Sequence, residues 1–140
     1  AKENLALSGL SDAPVRYIVD DCRKFVEREI RRGKKYDGII MDPPSYGRGP
    51  GGEVWKLEDA VCNFVSLCEK LLSDDPLFML INSYTTGLSM TVLENVLSIT
   101  VNKKVQGYIS SDELGIPMKD SELILPCGIY ARWEKEKDIN

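Results

Sequence analysis

Histidine is absent from all 140 residues. Without it the chain cannot assemble a Ser-His-Asp triad, a Cys-His pair or an imidazole-ligated metal from its own side chains. Acid–base work falls to Asp, Glu, Lys, Tyr or Cys. Cysteine is scarce as well: Cys22, Cys62, Cys68 and Cys127 form no CxxC pair, which excludes zinc-ribbon spacing. The opening AKENLALSGL has no basic region leading into an apolar one, so neither an export signal nor a disulfide framework is expected. The thiols are read as reduced and mostly buried, in a cytoplasmic protein. No apolar run approaches the ~20 residues that a membrane helix needs. Positive charge is not in excess either: 18 Lys and Arg against 22 Asp and Glu leave a net charge of −4, whereas a free-standing nucleic-acid binder is usually basic. The one local cluster of cations, Arg28, Arg31, Arg32, Lys34 and Lys35, reads as a solvated helix end placed at the negative pole of the helix dipole.

What is present suits one soluble domain with one core, spanning 1–140. Residues 1–9 read as a helix stopped by Gly9, opened by Ala1 rather than Met, as in a fragment or a processed chain. PVRYIVDD (14–21) is β-branched and ends in acid, so it predicts a strand. CRKFVEREIRRG (22–33) has helical spacing and stops at Gly33. YDGIIMD (36–42) predicts a strand buried on both faces, as in a parallel sheet. A loop spans 43–53. VWKLEDAVCNFVSLCEKLL (54–72) carries Leu57, Val61, Phe64, Val65, Cys68, Leu71 and Leu72 on one helical stripe. SDDP (73–76) breaks it, and LFMLINSYT (77–85) is a second buried strand. A helix over 89–99 takes Ser89 or Thr91 as cap, Thr91 and Glu94 fitting a capping box. Strands at 104–110 and 123–133 follow, Pro126 and Gly128 marking a bulge or an edge in the second. The tail EKEKDIN reads as polar and frayed.

Alternation of this kind specifies an α/β fold, a three-layer sandwich on a mostly parallel sheet, and the last strand, lacking a preceding helix, is expected to run antiparallel. Ligands in such sheets sit beyond the carboxyl ends of the strands. Three of those ends are chemically loaded: Asp20-Asp21-Cys22, Asp42-Pro43-Pro44 and Asn82-Ser83-Tyr84. Their convergence on one edge, without a metal-ligand histidine, points to a polar organic cofactor.

Two signals compete in MDPPSYGRGPGG (41–52). GRGPGG lies between a strand and a helix, as a dinucleotide fingerprint should. However, Asp42-Pro43-Pro44 separates it from the strand, and Pro50 removes an N–H that a phosphate needs. A mobile loop contacting substrate, or a plain solvent loop, fits better than a phosphate cradle. The prolines are the stronger signal, because they fix φ and hold the preceding residue extended. A carboxylate and its neighbouring carbonyls are thereby fixed at the sheet edge, with the Ser45 hydroxyl and the Tyr46 ring, on which a base can stack, immediately after. The plain structural alternative is a stiff turn with Asp42 as a local cap.

The stretch VRYIVDDCRKFVEREIRRGKKYDGIIMDPPSYGRGPGGEVWKLEDAV, with LLSDDPLFMLINSYTTGLS and LPCGIYARW, resembles the class I S-adenosylmethionine-dependent methyltransferases, in the bacterial branch that includes large-subunit ribosomal RNA methyltransferases. The resemblance covers most of the chain. It implies S-adenosylmethionine as cofactor, with Asp21 accepting a hydrogen bond from the adenine amino group, the Cys22 N–H against the ring, and Asp20 as the alternative acid. For Asp21, capping of the helix from 22 stands beside that role. Asp42, Pro43 and Pro44 match the signature after the family's fourth strand, where donor and acceptor meet, with Asp42 also a cofactor contact and Ser45 and Tyr46 beside the acceptor.

The family's glycine-rich first motif and its ribose-binding acid are missing, so the resemblance implies a C-terminal portion without the first two strands, inactive by itself. The strand at 15–20 would then pair with 36–42, exchange with another copy of the chain, or leave an open edge. No Cys follows the strand at 77–85, where relatives that methylate cytosine C5 carry a nucleophile. Methylation at nitrogen of an RNA substrate is therefore the expectation, with no membrane partner. The alternative reading is a non-catalytic α/β module binding RNA or protein; an oxidoreductase using GRGPGG is the third.

Overall fold

A computed structural model describes residues 2–49 and 51–136. Ala1, Pro50 and the tail 137–140 lie outside the described residues, and with them the Pro50 part of the glycine argument and the expected fraying. Helix α1 (Lys2–Leu7) ends at Gly9, whose φ of 68° is the left-handed stop that glycine allows. Helix α2 (Cys22–Arg31) is capped by the Asp21 carboxylate, which accepts the Lys24 N–H at 2.9 Å. Strand β1 (Gly38–Met41) follows, then β2 (Tyr46–Arg48), β3 (Val54–Lys56) and α3 (Leu57–Cys68), which runs into a single 3₁₀ turn (Glu69–Leu71). Strand β4 (Phe78–Ser83), helices α4 (Met90–Ile99) and α5 (Val101–Lys104), and the long strands β5 (Gly107–Pro117) and β6 (Ile124–Lys135) complete the order.

The main sheet is ordered β1-β4-β6-β5. Strands β1 and β4 are parallel, β6 runs against β4, and β5 runs against β6. Three strands thus point one way and the C-terminal strand is reversed between two of them. Its bulge is where glycine and proline placed it: the register slips so that Leu114 faces Gly128 and Gly115 faces Pro126, leaving Cys127 as the extra residue. Beyond this point β5 and β6 continue as a two-stranded arm past the end of β4, whose last partner is Ile129.

The core lies on one face of the sheet. Met79, Ile81, Ala131 and Trp133 alternate out of β4 and β6 at 0% exposure, against Leu57 and Val65 of α3 and Leu93 and Leu97 of α4. Full burial of such side chains contributes about 1.5–3 kcal/mol each. Asn102 of α5 ties its end of the sheet together, its Oδ1 accepting Trp133 Nε1–H at 3.1 Å and the Gly107 N–H at 2.8 Å.

Several expectations need correction. The stretch 14–21 forms no strand: it makes no ladder, bends at Asp20, and leaves Val19 fully exposed. Its pattern is right for a strand, but it pairs with none among the described residues. Strand β1 is not buried on both faces, because Ile40 is 66% exposed while Met41 is buried. The expected loop 43–53 holds β2, paired antiparallel with β3, and this hairpin takes residues 54–56 from the expected helix. Ser89 alone caps α4, its Oγ accepting the Val92 N–H at 3.4 Å, while Glu94 accepts from Ser111 Oγ at 2.6 Å instead of closing a box with Thr91. The cation cluster is partly paired: Arg28 reaches Asp20 and Arg32 reaches Glu29. All four cysteines are free, but only Cys68 is buried.

Candidate functional site

The carboxyl end of β1 is held by a strut. Trp55 of β3 donates its indole N–H to the Pro44 carbonyl at 2.7 Å, and its ring meets Phe64 of α3 edge-on, 5.7 Å between centroids. The Leu57 N–H donates to the Ser45 carbonyl at 3.0 Å. The two prolines fix φ from within, and the tryptophan fixes the corner from outside. Asp42 is exposed and makes no hydrogen bond or ion pair among the described residues, so it caps nothing.

Asp20 and Asp21 are engaged differently. Asp20 pairs with Arg28 at 2.7 Å and accepts the Asp21 N–H at 2.9 Å. The Arg28 hydrogen bond, with that N–H, holds the Asp20 carboxyl below the usual carboxylate range against the opposing effect of burial. Asp21 spends one oxygen on the helix cap, the role that sequence reasoning left beside adenine binding. Cys22 opens α2 and is exposed, whereas burial pushes the Cys68 thiol up to about 12, which leaves it protonated and inert at neutral pH.

One cavity of about 690 Å³ joins these groups. Asp20, Asp21 and Cys22 line one side of it and Asp42, Pro43 and Pro44 another, with Ile18, Phe25, Ile39 and Met41 supplying apolar wall and Gly47, Arg48 and Gly49 the hairpin side. Its size is that of a small-molecule site, in the range of roughly 300–1,000 Å³. Ser45 and Tyr46 do not line it. Nor does the third loaded strand end converge there: Ser83 and Tyr84 line a second cavity of about 390 Å³, with Thr85, Glu113, Cys127 and Gly128. The two are tied by one hydrogen bond, Thr85 Oγ1–H to Ser45 Oγ at 2.8 Å.

The glycine run is the tip of a hairpin, and its anion position is filled from within. The Gly51 N–H donates to a Glu53 carboxylate oxygen at 3.0 Å, and a Cβ at Gly49 or Gly51 would collide with that carboxylate. A phosphate cradle is therefore overturned at this loop. Sequence reasoning missed Arg16, Arg48 and Trp55 around the first cavity and Cys127 in the second. Only Cys127 had a legible signal, the proline and glycine flanking it.

Comparison with known proteins bears on the fold and the family. No family model matches the chain. A crystal structure of a SAM-dependent methyltransferase from Agrobacterium tumefaciens superposes with a TM-score of 0.79 at 34% identity, over 96% of this chain and 45% of that one. The chain is related to the S-adenosylmethionine-dependent methyltransferases. Two other methyltransferase structures, one complexed with SAH (TM-score 0.67, 16% identity, 34% of that chain) and one from Streptococcus mutans (0.57, 17%, 36% of that chain), share its fold. Over 46 residues, 33% of this chain, it is 37% identical to ribosomal RNA large subunit methyltransferase I of Shewanella denitrificans and 35% identical to that of Klebsiella pneumoniae. That stretch is 12% of each relative, and the chain spans less than half the length of the Agrobacterium protein.

Proposed function

We propose that this chain belongs to a methyltransferase that uses S-adenosylmethionine to methylate ribosomal RNA at nitrogen, and that it supplies the adenine contacts and the acceptor corner. The carrying observation is the shared cavity: the Asp20-Asp21-Cys22 turn and the Asp42-Pro43-Pro44 corner face one space, and Asp42 has no structural partner.

The residues fit the adenine and methyl ends of the cofactor. The free oxygen of Asp21 is an acceptor for an amino group, the N-terminus of α2 offers N–H groups beside it, and Phe25, Ile18 and Ile39 are apolar surface for a flat ring. Nothing in the cavity replaces the glycine-rich strand turn of the resemblance, so ribose and methionine contacts would come from outside these residues. When bound, the cofactor supplies an electrophilic methyl group on a sulfonium. The chain's part is positioning: the Asp42 carboxylate and the carbonyls beside it accept hydrogen bonds from an amino group, turning its nitrogen toward the cavity. Rigid placement of this kind, with reacting atoms about 3–3.5 Å apart, is the main catalytic requirement for in-line transfer.

Two features support an RNA acceptor. Arg48 lies over the exposed Tyr46 ring at 5.9 Å on the hairpin beside the cavity, a cation and a stacking face for a single strand. The ribosomal RNA methyltransferase relatives, although matched over a short stretch, point the same way. The Asp42 carboxylate, which accepts hydrogen bonds, suits an amino nitrogen.

The test is calorimetric titration of S-adenosylhomocysteine into this chain and its Asp21→Asn variant. Asparagine also caps helices, so that variant isolates the adenine contact. Saturable binding weakened about ten- to a hundredfold by Asp21→Asn is expected, one lost charge-assisted hydrogen bond being about 1.5–3 kcal/mol. Binding unaffected by the change would remove Asp21 from the site. Absence of binding both here and in a longer chain that carries the outside contacts would favour a non-catalytic α/β module.

A further inference from the structure

We propose that the second cavity holds a guanine base of the RNA, next to the nucleotide that meets the Asp42-Pro43-Pro44 corner. The cavity, about 390 Å³, is walled by the end of β4, the loop after it and the bulge of β6, with Tyr84, Thr85, Glu113 and Cys127 among its lining residues. These walls are set by contacts inside the chain. Gly128, at a φ of 117°, carries β6 so close past the end of β4 that a Cβ there would collide with the Ser83 carbonyl, and Cys127 is the residue that the bulge adds. Bulges of this kind re-aim side chains beside functional sites. The Ser83 hydroxyl accepts the Thr85 N–H at 3.1 Å and fixes the start of the loop. The cavity also adjoins the acceptor corner: Thr85 lines it, and the Thr85 hydroxyl donates at 2.8 Å to that of Ser45, the residue after Pro44. The RNA and its place at the corner rest on the function proposed above, whereas the choice of base rests on the cavity alone.

The lining selects the ligand. No lysine or arginine lines the cavity and Glu113 does, so a phosphate is disfavoured there and a group with hydrogen-bond donors is favoured. The Glu113 N–H turns to Asp112, but its carboxylate has no hydrogen bond or ion pair among the described residues. Tyr84 is 63% exposed and offers an aromatic face, while Leu88 and Ile129 add apolar surface. A flat ring with donors along one edge matches these groups, as in single-stranded RNA whose bases are splayed out, stacked and read on their edges. A carboxylate accepts through two oxygens. Among the RNA bases only guanine sets two donors side by side, N1–H and the 2-amino group. In adenine and cytosine the amino group stands beside an acceptor ring nitrogen, and in uracil N3–H stands between two carbonyl oxygens. Each of those turns a lone pair toward the carboxylate, so guanine alone gains a bidentate, charge-assisted pair.

Titration of the 15N-labelled chain with the 5′-monophosphates of guanosine, inosine, adenosine, cytidine and uridine, followed by amide NMR shifts, tests the assignment. Guanosine monophosphate is expected to give saturable shifts at 83–86, 113 and 127–129. Inosine monophosphate, which lacks the 2-amino group, should bind about tenfold more weakly, and the other three more weakly still. Glu113→Gln, at a side chain without a partner to lose, should weaken guanosine monophosphate about tenfold or more and abolish its advantage over inosine monophosphate. Asp42→Asn should leave these shifts unchanged. Equal affinity for all five nucleotides overturns the proposal. So do shifts confined to 20–22 and 42–44, binding indifferent to Glu113→Gln, or binding lost in Asp42→Asn instead. The S-adenosylhomocysteine titration reads the other cavity. Guanosine monophosphate bound at 113 without S-adenosylhomocysteine binding would leave the guanine site standing while the methyltransferase reading fell, and the reverse would remove only the guanine site.

Discussion

Three carboxylates within one cavity do three different things, and their partners tell them apart. Asp20 is spent on Arg28, Asp21 gives one oxygen to the cap of α2, and Asp42 is uncommitted. Asp42→Ala should therefore leave thermal stability within about 0.5 kcal/mol of the parent while, on the proposed function, costing the intact methyltransferase about 10²-fold or more in methyl transfer through lost positioning; equal losses in both would return Asp42 to a structural role. Asp21→Ala should cost about 1 kcal/mol through the cap, and recovery of that loss in Asp21→Asn is the check. A fourth acid matters for pH. Glu29 is buried and accepts from Tyr36 Oη at 2.7 Å and Arg32 at 3.1 Å, and the Tyr36 hydrogen bond, then Arg32, holds its carboxyl below the usual 4.5. A depressed folded-state pKa means that the unfolded chain binds the proton more readily. The stabilisation is thus complete above the unfolded value near 4.5 and is lost as pH falls through the lower folded value. Melting temperatures followed from about pH 6 to about pH 3 should fall less steeply in Tyr36→Phe than in the parent, since that variant gives up the largest cause of the shift.

At the scale of elements, Gly128 is the sharpest case. Its φ is 117°, and a Cβ there would press on the Ser83 carbonyl at the end of β4. Gly128→Ala should destabilise by about 1–3 kcal/mol, read as a lower denaturation midpoint at unchanged slope, and should distort the second cavity before the first. This bulge was legible in the sequence because Pro126 and Gly128 act locally. The α2 stop at Gly33 and the α/β alternation were legible for the same reason. The 14–21 segment shows where such reading ends: its side chains specify a strand, but a strand also needs an edge to pair with, and that depends on residues distant in sequence. The β2–β3 hairpin was hidden by its glycines, which look like a ligand loop until Glu53 is seen to fill it. Trp55 was hidden for a different reason, since its bond to Pro44 links elements eleven residues apart with no repeating pattern to announce it.

Across the whole molecule, order should be graded along the sheet. Met79, Ile81, Ala131 and Trp133 sit in a ladder paired on both sides and covered by α3 and α4, whereas Leu123, Ile124 and Leu125 are 54–67% exposed on an arm paired on one side only. Amide hydrogen exchange should be slowest at 79–81 and 131–133, opening only with global unfolding, and faster by orders of magnitude at 116–125. Equal protection of the arm would mean that something covers it. The two indoles of the chain differ in their surroundings. Trp133 is at 0% exposure with its N–H on Asn102, while Trp55 is half-buried with its N–H on the Pro44 carbonyl. The protein therefore carries its own optical gauge: emission from Trp55 should shift when a ligand moves the corner, against a constant background from Trp133, and binding can be followed without attaching a dye.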